Sequence, residues 1–86
     1  MVDAGPAARS AEISRHQVAA LLQHLYRWTA AAAAVAPPVA AALAPALSVA
    51  VQFYEAGQYE AGLGQLSAIT SAARQARAAY PALPPL

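Results

Sequence analysis

The side chains able to move protons, bind metals or attack carbonyl groups are few in this chain. Four carboxylates are present, Asp3, Glu12, Glu55 and Glu60, with two histidines, His16 and His24, and the arginines Arg9, Arg15, Arg27, Arg74 and Arg77. Cysteine is absent, which removes thiolate nucleophiles, thiolate metal ligands and any disulfide framework. Glu55 and Glu60 flank Gly57 and can approach each other across a turn. A carboxylate pair performs acid–base chemistry only where a cleft drives the two pKa values apart. Short helices enclose no such cleft, so the pair reads as solvated charge at a turn.

His16 and His24 are eight residues apart. On a helix that spacing leaves them about 80° apart in azimuth and two turns apart along the axis. A helical zinc pair uses a four-residue step, which brings both rings to one ion. Arg74 and Arg77 cluster near Tyr80, with Arg9 and Arg15 at the far end of the sequence. Phosphate binding requires a basic stripe, and a formal net charge of +1 supplies none. Nothing here points to catalysis, a metal, a cofactor, nucleic acid or a small-molecule substrate.

The elements that carry these residues are helical. Of the 86 residues, 27 are alanine, the best helix former because it loses no side-chain entropy. A methyl group also buries little area, so local structure is strong and packing is weak. A chain this short makes one domain with a thin stability margin. No run alternates β-branched or aromatic residues with polar ones, and no Asn-Gly or Asp-Gly turn occurs. Arginine without lysine, beside so much alanine and proline, fits the codon bias of a GC-rich bacterial genome.

Residues 1–9 hold Gly5, Pro6 and small side chains and read as a flexible tail, with Ser10 as a helix cap. The single domain spans 10–80. Its first helix is expected over 11–36, where Val18, Leu21, Leu22, Leu25, Trp28, Ala32 and Val35 form one stripe. Pro37 and Pro38 end it and open a second helix over 38–56, striped by Val39, Leu43, Leu47, Ala50 and Tyr54. Pro45 lies inside that span, where it should kink or break the helix. Gly57 suits the residue after a helix end with positive φ. A third helix is expected over 58–79, lined by Tyr59, Leu63, Leu66, Thr70, Ala73 and Tyr80. Pro81 stops it, and 81–86 reads as an extended Pro-rich tail. Short connections make neighbouring helices antiparallel. The expected fold is therefore an all-α, three-helix up-down-up bundle with disordered termini and a core of Trp28, Leu25, Leu43, Leu47, Tyr54, Leu63 and Leu66.

Tyr54, Gly57, Tyr59, Gly62 and Leu63, within residues 54–63, resemble the inter-helix corner of a single tetratricopeptide repeat. The resemblance implies that Gly57 turns the chain, that the two Tyr rings pack, and that a small residue lets the helices approach closely. Gly62 stands where that family usually has alanine. No second copy is found, and such arrays need about three repeats, so the resemblance implies a helical hairpin and no peptide-binding array. Trp28-Thr29-Ala30 lacks the glycine of the Trp-x-Gly turn in the Ala-rich hairpins of type VII secretion, and no Tyr has an acid four residues on.

Residues 28–54 carry no charge, a length sufficient to span a bilayer. Tyr26, Arg27 and Trp28 before it, and Phe53, Tyr54 and Glu55 after it, have the look of interfacial belts. Pro37 and Pro38 at its centre would leave backbone groups unsatisfied in lipid. A hydrophobic fraction of 59% with low net charge favours association. The sequence thus reads as a small, non-catalytic, cytoplasmic interaction or accessory protein that offers an apolar helix face to itself or to a protein partner. Tyr26, Trp28, Phe53, Tyr54, Tyr59 and Tyr80 are its candidate contact aromatics. The alternative is a small membrane-anchored protein using 28–54.

Overall fold

In a computed structural model, which describes the backbone of residues 5–86 and the side chains from Glu12 onward, the described residues form three helices. They are α1 (Gly5–Val35), α2 (Pro37–Glu55) and α3 (Tyr59–Ala79), each packed against the other two. This is the expected three-helix up-down-up arrangement. The helix opens at Gly5 rather than at Ala11, so Ser10 lies within α1 and is not its cap. The reading of residues 1–4 as part of a tail lies outside the described residues.

The corners form where the backbone chemistry requires them. Ala36, left between two helices with φ −142°, is followed by Pro at the first two positions of α2, where the missing amides cost nothing because no acceptor awaits them. At the other end Gly57 takes φ 74°. The Gln58 amide donates to the Phe53 carbonyl at 2.8 Å and the Gly57 amide to that of Tyr54 at 3.1 Å. Those two bonds make a Schellman cap, which satisfies carbonyls that the end of α2 would otherwise leave open. Pro45 is exposed and α2 continues through it unbroken; the Ala41 carbonyl it leaves without an amide partner also lies on an exposed residue.

The core follows a seven-residue rhythm. In α1 the buried positions are Val18, Leu22, Leu25, Thr29 and Ala32, with Trp28 beside them, and Ala36 at the corner continues the series. In α3 they are Gly62, Leu66, Ile69 and Ala73, flanked by the half-buried Tyr59 and Ala76. Alternating steps of three and four keep a narrow seam facing the neighbouring helices. Leu43, Leu47 and Ala50 supply the seam of α2. Thr29 survives in the core because its hydroxyl donates to the Leu25 carbonyl at 2.7 Å.

Several assignments within the expected stripes are corrected. Leu21 and Val35 are exposed because they flank the seam rather than lie on it. Tyr80 is exposed at the end of α3, and Leu63, Tyr54 and Thr70 are half-buried. Ile69 and Val18, absent from the expected core, are almost fully enclosed. The largest departure is at 81–86. This segment folds back instead of extending away: Leu83 is 3% exposed, Leu86 packs against the core, and the Trp28 indole Nε1–H donates to the Pro84 carbonyl at 2.8 Å.

Candidate interaction surface

An amphipathic bundle normally shows water a charged outer face. The α1–α2 side of this one does not. The exposed residues of α2 include Ala41, Ala42, Ala44, Pro45 and Val49, and its sole charged residue is Glu55 at the C-terminus. Between α2 and the second half of α1 lies a groove of about 510 Å³ lined by Tyr26, Thr29, Ala30, Ala33, Ala40, Ala41, Ala44, Leu47 and Ser48. Alanine walls explain why it is there. Methyl side chains cannot fill the space between two helix backbones on their outer side, so the groove stays open. A second, smaller groove of about 240 Å³ runs between α2 and α3, lined by Pro38, Val39, Ala42, Leu43, Ala72 and Ala76.

The six candidate aromatics do not form one patch. Tyr26 is 47% exposed and stands at the wall of the α1–α2 groove. Trp28 is 4% exposed and belongs to the core, so it offers no surface to a partner in this conformation. Phe53, Tyr54 and Tyr59 gather half-buried at the α2–α3 corner, the two tyrosine rings tilted at 56° with centroids 6.0 Å apart. That geometry falls within the favourable range for aromatic pairs. Tyr80 lies 46% exposed where α3 ends, its amide capping on the Ala76 carbonyl at 2.7 Å. The groove's alanines were the residues not singled out from sequence. Their signal is the recurrence of alanine at three- and four-residue steps inside a stretch without charge.

His16 and His24 are exposed, as are Glu12, Glu55 and Glu60. Among the described residues no group of three or more His, Cys, Asp or Glu side chains converges on a point where a metal could bind. Arg77 is half-buried in the last turn of α3, and its Nε is enclosed without a hydrogen-bond partner. Gln65 of α3 reaches across to the Ala46 carbonyl of α2 at 3.2 Å. These polar groups are distributed along the bundle rather than gathered in a cleft.

The fold and surface define a class, a small antiparallel three-helix bundle with an uncharged, alanine-walled side. No family model matches the chain, no curated protein matches it, and no solved structure matches it.

Proposed function

We propose that this protein is a non-catalytic helical interaction protein, and that the α1–α2 side is the face it presents, to a second copy or to a helix of another protein. The observation that supports the reading is the uncharged surface running from Ala30 across the groove to Val49, with alanine at its walls. Small side chains allow a third helix backbone to approach closely, and Tyr26 and Ser48 at the groove supply hydroxyls for orientation. The test places a charge at the groove wall. Ala44→Glu projects a carboxylate into the groove while leaving the core seam of α2 untouched. The wild-type chain is expected to bind an apolar fluorescent dye, and the variant to lose most of that signal with its helical circular dichroism unchanged. A wild-type chain without dye binding would sink the reading.

A second reading is membrane association. It is supported by α2 itself, 19 residues long and apolar enough to cross a bilayer, with an 18-residue stretch of mean hydropathy 1.3 of which 17% is buried in the bundle. The uncharged stretch 28–54 is divided by the corner at Ala36, so α2 alone would carry a span. Flotation with lipid vesicles separates the two readings: the interaction protein stays in the soluble fraction without detergent, and the anchored protein floats.

A further inference from the structure

We infer that the surface around Trp28 is a binding site for an extended Leu-Pro-Pro-Leu peptide, held in cis by the chain's own residues 83–86 and open to a partner that presents a segment of the same chemistry. The site is distinct from the α1–α2 face, and the outcome of one test does not bear on the other.

Pro84 and Pro85 fix φ near −65° and donate no amide, so Leu83–Leu86 is stiffened into an extended form before it docks. Such a segment loses little conformational entropy on binding, which is why Pro-rich stretches are common ligands of aromatic-lined surfaces. The Pro84 carbonyl belongs to a tertiary amide with Pro85, and neither proline carries an amide hydrogen.

The surface matches that chemistry. Trp28 is buried, yet its indole Nε1–H is not left unsatisfied; it donates to the Pro84 carbonyl at 2.8 Å, a bond between positions 56 residues apart. Leu83 is enclosed with the helix residues of the core, and Leu86 packs on the edge of the same cluster. One indole donor between two leucine sockets is an orientation-specific recognition pattern: a polar group fixes the register and alternate apolar side chains fill pockets. The Leu83 amide donates to the Tyr80 carbonyl at 3.0 Å, which forms the turn that sends the segment back toward α1. A covalent tether this short gives an effective concentration of about millimolar. Docking in cis therefore implies that the same peptide, untethered, binds the emptied site below about 1 mM.

Trp28 is the single tryptophan of the chain, so its fluorescence reads this site alone. The experiment compares the full-length chain with its Leu83→Ala/Leu86→Ala variant and titrates each with a synthetic peptide of residues 80–86, which contains no tryptophan. The variant is expected to show red-shifted, acrylamide-accessible Trp28 emission. The peptide is expected to return that emission to the wild-type position, saturably and with a midpoint below about 1 mM. The same peptide with alanine at the two leucine positions is expected to do nothing, and wild-type emission is expected to stay fixed throughout. If the double variant loses helicity, Leu86→Ala alone, which trims only a half-buried side chain, takes its place under the same criteria. A helical variant whose Trp28 emission matches the wild type, or one that the peptide leaves unmoved, overturns the inference.

Discussion

Gly62 and Gly64 lie two residues apart in α3 and meet different surroundings. A Cβ on Gly62 would lie 3.5 Å from Val18 Cγ1 and 3.7 Å from Phe53 Cβ, whereas one on Gly64 would meet nothing within 4 Å. The first distances are ordinary van der Waals contacts, so a methyl group fits between the helices and a larger side chain does not. Gly62→Ala is expected to stabilise the fold by about 0.5–1 kcal/mol, through helix propensity and added burial. Gly62→Leu is expected to destabilise it by about 1–3 kcal/mol through overpacking. Gly64→Ala gains propensity only, up to about 1 kcal/mol. Gly57 is the opposite case. With φ at 74° it occupies a region that a β-branched residue resists, and Gly57→Val should cost about 1–3 kcal/mol. Urea unfolding of the four variants, followed by circular dichroism, checks these signs.

The helices were legible in the sequence because their limits are local. Pro37-Pro38, Gly57 and Pro81 each act on the backbone within a residue or two, and α2 and α3 begin and end within one residue of the expected limits. The seam was less legible. A stripe centred on Tyr59 and Leu63 weights large side chains, while the buried position between them is Gly62, which has no side chain for a hydropathy pattern to register. The expected face is therefore displaced by one residue, with Thr70 in place of the buried Ile69. The docking of Leu83 and Pro84 on Trp28 was not legible at all, because no periodicity links positions 56 residues apart. Two substitutions in α2 test its energetics. Leu47→Ala empties a site that is 1% exposed and is expected to cost about 2–5 kcal/mol. Pro45→Ala restores the amide facing the Ala41 carbonyl at an exposed position, and is expected to stabilise the chain by about 1–3 kcal/mol. A thermal midpoint that moves down for the first and up for the second would bear out both.

At the scale of the whole molecule, the bundle is elongated, with extents of 55 × 20 × 16 Å. The long dimension belongs to α1, whose 31 residues outreach the 19 of α2 and 21 of α3. From Glu12 onward the first buried residue of α1 is Val18, and residues 12–17 are exposed except for the half-buried Ser14, with Ile13 59% exposed. A long helix paired along part of its length, beside a groove walled by alanine, leaves apolar surface that three helices of this size do not enclose. Something must cover that surface, and in the purified protein the available partner is a second copy. The direct measurement is light scattering coupled to gel filtration, on the full chain and on Ala44→Glu, in detergent-free buffer at two concentrations. The wild-type mass is expected to rise from 8.8 kDa toward a multiple of that value at the higher concentration, while Ala44→Glu stays monomeric. A wild-type chain that remains strictly monomeric at both concentrations, or that dissolves only in detergent, would contradict it.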